Sequence, residues 1–202
     1  MTASTLMKTS LTAMAVAATS AASLALCSPA YALGFTGDYA PSNFTLTNDS
    51  ADGFVNTFGS PNSISITGGN NQSGFSGLTS YLTTAAANGL VSFNWNYTTQ
   101  DVDGSFFDPF GYILNGTFSQ LTNDSLSGSQ NGDTSFSVAL GDSFGFGVQT
   151  RDNLLGSSSA TISNFSAPTA VPTPALLPGL IGLGVGMLRK RKAEAAKQTS
   201  EV

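Results

Sequence analysis

The chain has no histidine, and its one cysteine, Cys27, stands near the N-terminus. Between Leu33 and Leu188 there is no lysine and no glutamate, and Arg151 is the only cation. These absences remove most catalytic machinery. Without histidine there is no Ser-His-Asp triad, no Cys-His dyad and no imidazole-ligated zinc. Without lysine there is no Schiff base and no phosphate-binding loop. Ten aspartates against Arg151 leave this middle region at −9. That excludes nucleic acid as a partner, because phosphates demand clustered cations. Helix formers in series are scarce as well, so helix is not its expected state. Only carboxylate chemistry survives. Two aspartates roughly 5–10 Å apart would serve a glycan hydrolase, and such a hydrolase or a lyase is the alternative to the non-catalytic reading.

What is present begins at the two ends. Lys8 precedes a stretch of small and apolar residues, Leu11 to Leu26, followed by Ala30-Tyr31-Ala32. A cation, an apolar run and a small-x-small site, in that order, read as a secretory signal peptide over residues 1–32. Ala30 and Ala32 mark its cleavage site. Cys27 makes a poor lipobox, since Leu26 before it is not small. Cleavage after Ala32 would discard Cys27 and leave no disulfide and no thiol. Such an exported domain must rest on its core or on bound ions.

At the other end, Ala175 to Leu188 carry no charge. As a helix these fourteen residues span about 21 Å, short of the ~30 Å hydrocarbon core. Gly179, Gly182, Gly184 and Gly186 suit a membrane span better than a solvated helix. The cluster Arg189, Lys190, Arg191 and Lys192 stops transfer and stays on the cytoplasmic side. Residues 168–174 then form a Pro-rich linker and motif, 175–192 a transmembrane helix with its basic cluster, and 193–202 a cytoplasmic tail. Such a segment is either a permanent anchor of a structural surface protein or a sorting signal.

Pro172-Thr173-Pro174-Ala175, an apolar Gly-rich helix and a terminal Arg/Lys cluster together resemble the PEP-CTERM class of sorting domain, in its PTPA-CTERM variant familiar from cyanobacteria. The resemblance implies recognition by an exosortase, a membrane-embedded cysteine transpeptidase that cuts near the motif. Membrane attachment would then last only until processing, and the body would end at the cell surface, in the extracellular matrix or secreted. Thr173 stands where the commonest form of the motif has glutamate. The body more loosely resembles exported cyanobacterial and planctomycete proteins with segments like DVDGSFFDPFGYILNG, and that likeness implies no activity.

Period-two alternation dominates residues 33–167. In Leu90 to Tyr97, Val91, Phe93, Trp95 and Tyr97 share one face, while Ser92, Asn94 and Asn96 share the other. Further strands are predicted at 43–47, 54–58, 63–67, 80–85, 110–114, 117–121, 134–140, 143–150 and 160–167. Asn88-Gly89 and Asn115-Gly116 signal hairpins, and Gly141-Asp142 a tight turn. The predicted fold is all-β, a single antiparallel β-sandwich, jelly-roll-like, with phenylalanines as its core.

The densest chemical cluster is Asp101, Asp103 and Asp108 around Gly104. Calcium takes six to eight oxygens, and Asp-x-Asp-Gly loops supply several. The competing reading is a solvated acidic turn, and no other cofactor is expected. Phe106 and Phe107, beside this loop, are the candidate aromatic platform for an extracellular polysaccharide. Trp95 is expected in the core. Arg151 is expected to fix a loop by pairing with a carboxylate.

Overall fold

The computed structural model describes residues 30–126, 128–170 and 188–190. Residues 1–29 of the expected signal peptide (1–32), the Pro172–Ala175 motif, most of the apolar segment, Arg191, Lys192 and the tail lie outside them. Arg189 and Lys190 fall in a short helical turn with Leu188. Among the described residues no helix is long and apolar enough to cross a membrane.

Eleven strands form the body: β1 (Ala30–Leu33), β2 (Thr45–Asp49), β3 (Phe54–Asn56), β4 (Ser63–Thr67), β5 (Gly77–Thr84), β6 (Gly89–Thr99), β7 (Phe110–Leu114), β8 (Thr117–Gln120), β9 (Gln130–Val138), β10 (Ser143–Thr150) and β11 (Ser158–Thr169). One sheet runs β3-β4-β11-β6-β9, with β1 also on β11. The other runs β2-β5-β10-β7-β8. Every pairing is antiparallel. The pairs are nested: β7 with β8, β6 with β9, β5 with β10, β4 with β11. A single long hairpin has been folded over on itself into two sheets, the strand order of a jelly roll.

Alternation positions the core. In β6 the side chains of Val91, Phe93, Trp95 and Tyr97 are buried, while Asn94 and Asn96 face solvent. β11 buries Ser158, Ala160 and Ile162, then Phe165 and Ala167, so its phase slips by one residue. The slip falls at an irregularity between Ser163 and Ser166, where Asn164 takes a left-handed φ of 50°. Without that bulge the second half of the strand would turn its apolar side chains to water. Aromatic rings fill the space between the sheets. Phe35 stacks on Phe165 at 4.7 Å, Tyr112 on Phe136 at 4.2 Å, and Phe93 meets Phe146 edge-on at 5.1 Å. Trp95 is 6% exposed and lies against Phe110. Gly132 opposite it leaves the room its indole occupies: a Cβ there would stand 2.9 Å from the ring.

Two local readings need correction. Asn88-Gly89 does not close a hairpin, because β5 and β6 lie in different sheets. It ends a crossover between sheets, and Asn88 Oδ1 accepts from the Leu140 N–H of another crossover. Asn115-Gly116 does close one: both residues have positive φ, 49° and 81°, between β7 and β8. Strand β1 was not expected at all. It pairs Ala30 with Thr169 and Ala32 with Ala167, so the two alanines of the expected cleavage site lie within a strand of the sheet.

Candidate functional site

Alternate connections of a jelly roll gather at opposite ends. At one end the links are short: residues 85–88, 115–116 and 139–142. At the other, beside the short link 50–53, they are long: 68–76, 100–109, 121–129 and 151–157. This loop end is cross-braced by the backbone. Gln100 N donates to Ser157 O, Arg151 N to Phe107 O and Gln72 N to Asn153 O. Side chains add to the bracing. Ser105 Oγ reaches the carbonyls of Asn123 and Leu126, and Asn153 Nδ2 those of Ser50 and Phe75. Ser50, Gln72, Asn153 and Leu155 all adopt left-handed φ values between 52° and 62°. Non-glycine residues hold that conformation only where their surroundings over-determine it.

The three aspartates singled out from the sequence end in different surroundings. Asp108 has no exposed surface, and neither of its carboxylate oxygens has a hydrogen-bond partner. Its carbonyl accepts from Tyr97 Oη and Ser158 Oγ, each at 2.9 Å. Asp101 is 6% exposed. One of its oxygens accepts the Asp103 N–H at 2.7 Å, and Oδ2 is unpartnered. Asp103 is exposed. It contributes a backbone donor, with its carboxylate on the solvent side of the loop. Among the described residues no three acidic, histidine or cysteine side chains close up into a ready metal cage.

Burial dominates the electrostatics. Loss of solvent pushes the Asp108 carboxyl up to about 7. The charges of Asp101 and Asp152 push the same way, and the Thr150 hydroxyl beside it partly offsets them. Asp101 is raised too, again first by burial. Tyr97, buried at the same place, is raised to about 12 by desolvation. Asp152 is therefore part of this carboxylate group, although it lies far from the others in sequence.

Arg151 sits at the rim. Its guanidinium donates to Asp124 Oδ2 at 3.0 Å and lies 3.8 Å over the Phe106 ring. Phe106 is 45% exposed and meets Phe107 edge-on at 5.1 Å, while Phe107 is half-buried. Arg151 thus pairs with a carboxylate, that of Asp124, through a single contact and not the bidentate one its fork allows. Beside it runs a groove of about 450 Å³ lined by Asp49, Ser50, Ser76, Gln149, Thr150 and Arg151. Asp108 does not line it.

No family model matches the chain, and no curated protein matches it. Solved structures of similar shape include a family 35 carbohydrate binding module from Clostridium thermocellum. It is 9% identical, with 70% of this chain and 99% of that one covered, at a TM-score of 0.34. A carbohydrate-binding module with specific mannan recognition is 10% identical over the same shares at 0.39. A CBM35 from Paenibacillus barcinonensis is 14% identical, again over 70% and 99%, at 0.32. At these values the likeness is one of sandwich architecture alone.

Proposed function

We propose that the chain is an exported, non-catalytic surface module that holds a neutral polysaccharide at the loop end of its sandwich. The observation that carries this reading is that Arg151, which lines the groove, also lies over the half-exposed Phe106 ring. Sugars bind by hydrogen bonds to polar side chains and by packing on aromatic faces, and Gln149, Ser50 and Phe106 offer both. A neutral glycan fits best, because the −9 body repels polyanions and its one cation is engaged by Asp124.

Delivery rests on the sequence: a signal peptide, then a PTPA-type sorting domain handed to an exosortase, with membrane attachment until processing. Intact mass of the protein from its native membrane and secreted fractions tests this. Termination near Pro174 supports sorting; a mass running through Val202 supports a retained anchor.

The enzymatic alternative has one observation in its favour, the Asp108 carboxyl raised to about 7 in the neighbourhood of other carboxyl groups, as in an acid and base pair. Against it, a general acid must touch substrate, and Asp108 has no exposed surface. Electrophoresis through gels cast with a panel of neutral polysaccharides decides. Retardation without release of sugar is the expected result. Turnover abolished by Asp108→Asn would overturn the non-catalytic reading.

A further inference from the structure

We propose that Asp108 and Asp101 ligate a divalent cation, calcium outside the cell, that pins the two ends of the 100–109 loop together. Three carboxylate oxygens, both of Asp108 and Oδ2 of Asp101, are buried without a hydrogen-bond partner. Both side chains are more than nine-tenths buried. Buried carboxylates are ordinarily paired or hydrogen-bonded, and among the described residues no cation pairs with these. Arg151, the only one between Leu33 and Leu188, is held by Asp124 and Phe106. Only oxygen donors are present, which selects a hard cation over zinc or copper.

The surroundings support the same assignment. The Asp108 carbonyl is fixed by Tyr97 and Ser158, from β6 and β11, so its side chain springs from a held backbone. Gly104, at a φ of 89°, turns the chain between the two ligands. Asp152 adds negative charge without competing for a donor at Asp108. Two carboxylates completed by neutral oxygens make a low-charge site, in the weak extracellular class of about 10⁻⁴–10⁻³ M. Asp103, grouped with the other two by sequence, is not a ligand. The inference stands whether or not the groove takes a glycan.

The test is thermal unfolding of the full-length chain in detergent, in about 5 mM calcium chloride and in chelator. The expected result is a Tm higher by about 3 °C or more with calcium. Asp108→Asn and Asp101→Asn should abolish the shift, and Asp103→Asn should keep it. Should Asp108→Asn fail to fold, terbium emission from the wild-type chain supplies an independent reading. Tyr97 lies close enough to sensitise a lanthanide, and calcium should displace that emission. Equal melting in calcium and chelator, no calcium-displaceable emission, or loss of the shift in Asp103→Asn alone would each overturn the assignment.

Discussion

Asp142 and Asp108 occupy opposite ends of the sandwich, and their carboxylates are treated in opposite ways. At the turn end, Asp142 accepts the Ala139 N–H at 2.8 Å and Asn115 Nδ2 at 3.0 Å, and these bonds hold its carboxyl below its ordinary value. At the loop end, neither Asp108 oxygen has a partner in hydrogen-bond geometry, the Thr150 hydroxyl only lying beside it, and burial raises it. The turn end satisfies its polar groups within its turns and between neighbouring turns. The loop end spends its backbone and side-chain donors on bracing one loop against another and leaves carboxylate oxygens over. One end has its carboxylate satisfied by the fold itself; the other keeps buried carboxylate oxygens open.

The shared core sets the scale on which this contrast is measured. Trp95→Ala removes a side chain between the two sheets and should cost about 3–5 kcal/mol in urea unfolding, with no bias toward either end. A smaller loss would mean that the core is looser than its stacked rings indicate.

Titration should separate the ends by sign. In chelator, the folded protein holds a proton on Asp108 that the unfolded chain has already released above the ordinary 3.8. Its contribution to stability is therefore largest below about pH 4, falls as pH rises toward about 7, and is flat beyond. Asp142 works the other way: its stabilising effect is present above 3.8 and is lost as pH falls through its lowered value. Unfolding followed across this range should show the first trend shrink in Asp108→Asn to the part left by Asp101, which burial also raises, and the second vanish in Asp142→Asn. A fall with rising pH that survives undiminished in Asp108→Asn would break the comparison.

Single hydrogen bonds give a finer test. Tyr97→Phe deletes one of two donors to the Asp108 carbonyl and should cost about 1 kcal/mol. Asn115→Ala, at the turn end, loses its bonds to Asp142 and Ser143 and its tolerance of φ 49°, for about 1–2 kcal/mol. Hydrogen exchange should place the first change in residues 100–109 and the second in residues 113–118 and 139–143.

Much of the sandwich was legible in the sequence because its cause is local. Val91, Phe93, Trp95 and Tyr97 alternate with polar residues, and alternation on a half-buried strand has one outcome. Strands β4, β7 and β10 fall on their expected residues for the same reason. Asn88-Gly89 misled because turn chemistry states how a chain bends, not which sheet receives the next strand. Ala30–Leu33 escaped notice because its small residues read as a processing site, and its pairing with β11 depends on a strand far along the chain.

The site divides along the same line. The sequence singles out Asp101 and Asp108 by their spacing and Phe106 by its place beside an acidic loop; folding buries the first two and leaves Phe106 half-exposed. Neighbourhood in sequence also drew in Asp103, which folding leaves exposed, and hid Asp152, Asp124 and Gln149. Those three are joined to the site only by the closing of distant loops, and no local pattern announces that.

The most direct test of the claim that the loop end is the binding end compares one substitution at each end. Phe106→Ala removes the exposed ring under Arg151, and Leu140→Ala removes a 68% exposed side chain at the turn end. Both variants are run beside the wild-type chain through gels cast with the neutral polysaccharides. The account predicts that the wild type and Leu140→Ala are retarded equally, while Phe106→Ala binds about tenfold or more weakly. Retardation lost in Leu140→Ala and kept in Phe106→Ala, or a wild type that no neutral polysaccharide retards, would contradict it.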